Sequence, residues 1–262
     1  MEKIFKLGRP FFAVTVAAFG ILHFVWAHFG QSTVPIIPWV PAKPILIYLT
    51  GAFLIAGGLS IASGIGARVS AIFLGFLFLG CALFLQLHSL IASPHDLNIR
   101  TQVFETLSMC ATFFTLPGIL PKAQGAFSGS GGVLGYLAKA GPILFGIAMV
   151  IFGYDHFLLL PFIASLVPAW IPAKMFWAYF TGAAFCAAGV AIAINWMARL
   201  AGTLLGILFL LMFLSLHAPR VLTSPRSHNP NEWSSAFICF GMCAASWICA
   251  AYSDRRRRQA AA

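Results

Sequence analysis

The hexapeptide FGILHF (Phe19–Phe24) returns as FGYDHF (Phe152–Phe157), so a glycine and a histidine recur with the same spacing. Further pairs follow in the same order along both halves of the chain: Trp39 and Trp170, Tyr48 and Tyr179, Arg68 and Arg199, Gly75 and Gly206, His88 and His217, and Glu105 and Glu232. The separation between partners shortens only slightly from the first pair, His23 and His156, to the last, Glu105 and Glu232. Self-similarity at a nearly constant period predicts a duplicated structural unit.

The composition of the chain is that of a membrane protein. Hydrophobic residues make up 60% of the sequence and charged residues 8%, whereas about a quarter of the residues in soluble domains are charged. Apolar stretches near the ~20 residues that cross a bilayer occur four times in each half. They lie near 10–29, 44–64, 69–92 and 101–120, and near 142–163, 175–195, 199–218 and 232–252. Because polar and apolar residues do not alternate in these stretches as they would in strands, the stretches predict an all-α membrane protein with eight transmembrane helices.

The distribution of basic residues predicts the orientation. Most of the 16 Lys and Arg residues fall on the side of the N-terminus, so both termini are expected in the cytoplasm, with the protein in a bacterial inner (plasma) membrane. The expected divisions are a first four-helix unit (1–120), a Gly- and Ser-rich cytoplasmic linker (121–141) and a second four-helix unit with a basic tail (142–262). An even number of spans per unit makes this a parallel repeat. Because the first helix carries a repeated histidine, we expect it to remain in the mature protein.

The net charge of +10 includes the run Arg255–Arg258, directly after the last predicted span. Anionic lipids of the cytoplasmic leaflet attract such a run. No basic stripe interleaved with exposed aromatic residues occurs in a soluble segment, which argues against nucleic acid as a partner. The lipid bilayer is therefore the expected partner of this run.

Each half carries two histidines and a glutamate toward the outer ends of its predicted helices. These candidate site residues are His23, His88 and Glu105 in the first half, and His156, His217 and Glu232 in the second. Ionisable groups inside a membrane are costly and usually face a bundle interior or a wet cavity. Such a set would suit a transition metal, a haem held by two imidazoles, or a quinone whose head is hydrogen-bonded and whose protons pass outward. A structural role is the competing interpretation, because histidines near helix ends bond backbone carbonyls and a glutamate in a first turn favours the helix dipole.

Asp155 has no repeated partner, since Leu22 stands at the matching position. A carboxylate this deep in a span predicts one of two things. Either the second half holds the active site, or Asp155 bonds a nearby polar group.

Two further repeated features concern packing and the interface. Prolines surround Trp39 and Trp170, which predicts rigid turns at the outer interface that either roof the site or anchor the protein among lipid headgroups. The pairs Thr50–Gly51 and Thr181–Gly182 predict close contacts between helices, because a missing side chain lets backbones approach.

The second half resembles the DoxX-like family of four-helix membrane proteins. The resemblance rests on FGYDHF, LVPAWIPAKMFWAYFTG (Leu166–Gly182), the region of Arg199, LHAPR (Leu216–Arg220) and Asn231–Trp233. It implies a context of membrane redox complexes or quinone-dependent sulfur oxidation, without an agreed catalytic set. This chain departs from the usual pattern by carrying two units.

Two functions follow as expectations. The first is an accessory or quinone-interacting subunit of a membrane redox system, with other redox subunits as partners. The second is a transporter or binding protein for a small solute or lipid, with a cavity between the two repeats. Quinone, haem and a transition metal stay open as cofactors, and so does whether the chain is an enzyme.

Overall fold

The computed structural model describes residues 2–26, 43–121, 132–223 and 230–261. Helices are the only regular secondary structure in these ranges, as the sequence predicts. The long helices are α1 (Glu2–Trp26), α2 (Lys43–Ser63), α3 (Ala67–Ala92), α4 (Leu97–Thr115), α5 (Gly132–Leu158), α6 (Lys174–Ala193), α7 (Ala198–Thr223) and α8 (Pro230–Ala261). A short connecting helix (Leu160–Leu166) follows α5.

Seven of the described helices are long and apolar enough to cross a membrane. They are all the long helices except α4. The expectation of a multi-pass helical membrane protein is therefore confirmed at this level. Helix α4 falls short because its first half carries Asn98, Arg100, Gln102 and Glu105 within 19 residues.

Two predicted boundaries are wrong for a common reason. The first and fifth spans were expected to begin at Pro10 and Pro142, but both prolines lie inside helices that begin at Glu2 and Gly132. Transmembrane helices tolerate an internal proline because neighbouring groups satisfy the freed backbone carbonyl. Residues 132–141 of the predicted linker are consequently helical, while its residues 122–131 lie outside the described residues.

The long helices pack side by side in chain order, and α8 returns to contact α1. Helices α4 and α8 also touch each other across this ring. Every residue of α4 from Ser108 to Thr115 is buried, and most of α8 is enclosed in the same way. The enclosed second half of α4 therefore does not face lipid, whereas its polar residues lie in the first half, where Asn98 is exposed.

Glycines bring the first two helices of each half into backbone contact. A Cβ atom placed on Gly20 of α1 would lie 2.6 Å from the carbonyl oxygen of Gly51 in α2. In the second half, a Cβ on Gly153 of α5 would lie 2.6 Å from the carbonyl oxygen of Gly182 in α6. The close contacts predicted at Gly51 and Gly182 are confirmed. They follow the small-residue rule for helices in membranes, where packing rather than the hydrophobic effect drives association.

The contacts between the two halves also correspond. Gly8 of α1 packs on Ala244 and Ile248 of α8, and Gly141 of α5 packs on Ala111 and Thr115 of α4. The same number of residues separates Gly8 from Gly141, Ala111 from Ala244, and Thr115 from Ile248. This shift along the chain also takes His23 to His156. It aligns the two MCA tripeptides, which begin at Met109 and Met242.

This register contradicts the predicted pairing of Glu105 with Glu232, which lie closer together in the chain than the register requires. The shift that takes His23 to His156 pairs Glu105 with Ile238 instead. Glu105 and Glu232 are alike in residue type, but they do not occupy positions that meet corresponding neighbours in the helix contacts.

One end of the bundle gathers both described ends of the chain, and we call it the basic end. There Arg258 pairs with Glu2 and with Asp254, and Asp254 Oδ1 lies 2.9 Å from Arg199 Nε. Arg9 donates hydrogen bonds of 2.7 and 2.8 Å to the carbonyl oxygens of Ile61 and Ala62 at the end of α2. Basic side chains therefore tie the helix ends together on this side.

Replacing Gly153 with leucine tests the glycine contact. We expect Gly153→Leu to destabilise the bundle by about 1–3 kcal/mol, because the added side chain must push α5 away from α6. Gly80→Leu is the control, since no heavy atom lies within 4 Å of a Cβ at Gly80. Thermal unfolding of the purified protein in detergent measures both, and equal melting temperatures for the two variants would contradict the packing account.

Candidate functional site

A cavity of about 390 Å³ lies at the end of the bundle opposite the basic end. Helices α5 to α8 and the connecting helix of the second half form most of its wall, and α4 of the first half completes it. We call it the α4–α8 cavity.

This cavity brings together five of the seven predicted site residues: Glu105, Asp155, His156, His217 and Glu232. Four of them belong to the second half, where the unmatched Asp155 had suggested an active site. Glu105 comes from the first half, across the boundary between the two. His23 and His88 do not line this cavity.

His156 is held by its own helix. Its Nδ1 lies 2.7 Å from the carbonyl oxygen of Phe152, one turn earlier, so Nδ1–H donates to that oxygen. The predicted bond to a backbone carbonyl is therefore present. In a neutral imidazole it leaves Nε2 as the acceptor nitrogen. The ring packs edge-on against Phe185, with ring centres 5.0 Å apart, and Phe185 in turn stacks on Phe209.

Asp155 has a partner from the other half of the chain. Arg100 of α4 donates to its Oδ1 in an ion pair, and the aspartate is only 5% exposed. The arginine also lies over the ring of Tyr154, 5.6 Å from its centre. Of the two predictions for Asp155, the polar partner is found, and the ion pair joins α4 to α5 beside the cavity. Either charge left without the other would be costly in this buried place.

Glu105 differs from Asp155 because it has no ion pair or hydrogen bond among the described residues. Its side chain is half-buried on the cavity wall. A carboxyl group in such surroundings gains from any ligand that donates a hydrogen bond to it.

His217 ends a π-helical segment (Phe213–His217) within α7. Its Nδ1 is buried and has no hydrogen-bond partner in the described part of the chain. Segments of this kind are frequent at functional sites because the extra residue per turn redirects side chains. Arg220, on the next turn, lines the same cavity.

The corresponding place in the first half belongs to Gln86 and not to His88. Helix α3 has its own π-helical segment, which ends at Gln86. The number of residues between Gln86 and His217 is the same as between Arg68 and Arg199, and as between Gly75 and Gly206. His88 lies two residues further on, roughly 200° around the helix, and is exposed. The predicted pairing of His88 with His217 is therefore wrong.

The predicted set His23, His88 and Glu105 is consequently not assembled. His23 is only 3% exposed, with its Nδ1 2.7 Å from the carbonyl oxygen of Phe19. Gln86 is also 3% exposed, and its amide has no partner among the described residues. The half-buried His156 and His217 instead line the α4–α8 cavity.

The metal-ligand interpretation is not supported by the arrangement of these side chains. Within the described ranges, no group of three or more His, Cys, Asp or Glu side chains is placed to hold a metal ion. His156, His217 and Glu232 share a cavity wall without forming such a group.

The cavity is apolar at its inner part and polar toward the end of the bundle. Phe185, Phe209 and Met242 line the inner part, whereas Arg220 and Glu232 lie toward the end. Met242 is ten residues beyond Glu232 on α8, which corresponds to ~15 Å along the helix. A ligand with an apolar body and a polar head would match this distribution.

The proline-rich turn of the second half does not form the wall of the cavity. Trp170 is 74% exposed, and the connecting helix contributes Phe162, Ile163 and Leu166 to the wall instead. The corresponding Trp39 lies outside the described residues.

The ion pair between Arg100 and Asp155 can be tested with a double-mutant cycle. Asp155→Leu, which installs the residue found at position 22, should destabilise the protein by about 3 kcal/mol because Arg100 is left buried and unpaired. Combining it with Arg100→Met should recover most of that loss, since an apolar pair replaces both charges. Chemical unfolding in detergent measures each variant, and a double variant as unstable as the sum of the single ones would contradict direct pairing.

Comparison of the chain with protein-family models, curated proteins and solved structures finds no match. The DoxX-like resemblance therefore stays a prediction that rests on the sequence motifs.

Proposed function

We propose that this protein binds a quinone or quinol in the α4–α8 cavity, as an accessory subunit of a membrane redox system. The observation that carries the proposal is the position of His156. Its Nδ1 is occupied by the carbonyl oxygen of Phe152, and the ring stands between an aromatic inner wall and a polar outer wall.

The polar groups suit the head of a quinol. A quinol presents two hydroxyl groups, each a hydrogen-bond donor, and the neutral His156 ring offers Nε2 as an acceptor. The Glu105 carboxyl group, without a partner among the described residues, offers a second acceptor on the same cavity wall. The isoprenoid side of such a ligand would lie against Phe185 and Phe209.

The proposed role is binding and orientation of the ligand. Electron transfer is assigned to a partner subunit of the redox system, in agreement with the context that the DoxX-like resemblance implies. Cofactor chemistry of this kind needs the protein mainly for placement and local electrostatics.

The proposed architecture has eight spans in two parallel units. The ion pair between Glu2 and Arg258 supports it, because chain ends at the same end of a bundle require an even number of crossings. Helix α4 would be the eighth span, shielded from lipid by its neighbours. The matching contacts at Gly8 and Gly141 support the duplication.

The basic end would face the cytoplasm of a bacterium, as the positive-inside rule requires.

A second candidate is a transporter or binding protein for a lipid or small solute. It is favoured by the position of the cavity, which α4 of the first half closes against the second half. Arg220 on the polar wall would suit an anionic head. The two candidates differ in the ligand that should accompany the purified protein.

Quinone binding can be tested with a matched pair of histidine variants. We expect His156→Leu to weaken binding of a short-chain quinol about tenfold, because one hydrogen bond to the head is lost. His88→Leu removes an exposed imidazole outside the cavity and should change binding less than twofold. Calorimetric titration of the purified protein with the reduced ligand measures both.

The same material separates the two candidate functions. Extraction of the purified protein should yield quinone in preference to other lipids. An unchanged affinity in His156→Leu, or a stoichiometric phospholipid or fatty acid in place of quinone, would refute the quinone proposal and favour the second candidate.

The eight-span topology can be tested across α4. Single cysteines at Ser93 and Pro121 flank this helix and occupy exposed positions, in a full-length chain whose native cysteines are replaced by alanine. A membrane-impermeant maleimide added to intact cells should label position 93 and leave position 121 unlabelled. Labelling of both positions would show that α4 does not cross the membrane.

A further inference from the structure

A second pocket, of about 520 Å³, lies at the basic end between α7 and α8. The turn before α7, the start of α7 and the last turns of α8 form its wall. Arg199, Arg256 and Arg257 contribute to it from two helices. We call it the arginine pocket, and it is separate from the α4–α8 cavity in both position and chemistry.

The arginine pocket carries more positive than negative charge. Asp254 is the carboxylate next to it, and its two oxygens already pair with Arg199 and Arg258. Arg257 has no ion pair among the described residues. Arg256 lies over the ring of Tyr252, 6.0 Å from its centre, and likewise has no ion pair in the described ranges. Two guanidinium groups therefore remain available for an anion from solution or from the membrane.

The edge of the pocket is apolar and exposed. The lining residues Met197 and Leu200 are exposed, and Trp196, which stands in the chain between the lining residues Asn195 and Met197, is 65% exposed. Tryptophan is enriched at the level of lipid headgroups, where its ring meets both apolar and polar surroundings. The same pocket thus places cationic groups beside a surface suited to acyl chains.

The turn that forms this edge is held in an unusual backbone conformation. Asn195 and Met197 have φ angles of 57° and 50°, in the left-handed region that favours glycine. The corresponding turn of the first half has glycine at both places, Gly64 and Gly66, with φ angles of 89° and 65°. In the second half, the side chain of Asn195 instead accepts a hydrogen bond of 2.8 Å from Ser253 of α8, which ties the turn to the pocket wall.

We propose that the arginine pocket binds the phosphate headgroup of an anionic phospholipid. Arg256 and Arg257 contact the phosphate, for which the planar guanidinium is well suited. Trp196 and Leu200 lie beside the acyl chains. This assignment does not depend on the quinone proposal.

Lipid selectivity of the purified full-length protein tests the assignment. Native mass spectrometry from mixed micelles should show phosphatidylglycerol retained at least about tenfold more strongly than phosphatidylcholine. The double variant Arg256→Gln/Arg257→Gln should lose that preference by about tenfold or more, because each arginine near an anionic headgroup contributes to the attraction.

The double variant Lys3→Gln/Lys6→Gln is the matched control. It removes the same charge from exposed positions near the start of α1, outside the pocket. We expect a change below twofold. An equal loss in the two double variants would mean a general surface-charge effect and would overturn the proposal.

Two soluble competitors distinguish a lipid from a free anion. Neither inorganic phosphate nor glycerophosphoglycerol at the same concentration should displace phosphatidylglycerol, since both lack acyl chains. Displacement by either would assign the pocket to a soluble phosphate and overturn the lipid assignment. Trp196→Gln should reduce phosphatidylglycerol retention about threefold, and an unchanged retention would contradict the role of the apolar edge.

Discussion

The close approach of α5 to α6 fixes the position of His156, which forms part of the wall of the α4–α8 cavity. Gly153 and Gly182 let the two backbones meet, and His156 follows Gly153 by three residues, with its Cβ 3.0 Å from where a Cβ on Gly182 would stand. A side chain at either glycine would move the histidine away from Phe185. The spacing in FGxxHF is thus a packing requirement first. The hydrogen bond from its Nδ1 to the Phe152 carbonyl and the edge-on contact with Phe185 hold the imidazole in its orientation.

The two halves use this geometry differently. In the first half, His23 and Gln86 are buried and pack within the bundle. In the second half, His156 and His217 occupy the corresponding places and face a cavity. The difference is accompanied by Asp155, whose charge is compensated by Arg100 of α4. His23 and His156 therefore bond the carbonyl oxygen four residues earlier in the same way, but only His156 lines the described α4–α8 cavity.

Helix α4 connects the fold with the candidate function. Its polar first half carries Arg100, which pairs with Asp155 beside the cavity, and Glu105, which lines the cavity of the other half. A membrane helix freed from contact with lipid can carry groups that a lipid-facing helix cannot. The site is consequently built from both halves of the chain. The second half alone would lack the Glu105 carboxylate and the arginine that pairs with Asp155.

The amino-acid sequence by itself determined the helical membrane class, seven of the apolar helices, the glycine contacts and the gathering of Asp155, His156, His217 and Glu232 in one half. These properties depend on hydropathy and on spacing along single helices, which a sequence displays directly. The tertiary structure decided that Arg100 pairs with Asp155, that Gln86 and not His88 takes the place of His217, and that Glu105 joins the cavity of the second half. Those outcomes depend on how each helix is rotated and which neighbour it meets. A shift of two residues turns a side chain to roughly the opposite face, and contacts between distant segments are set by the packing of the whole bundle.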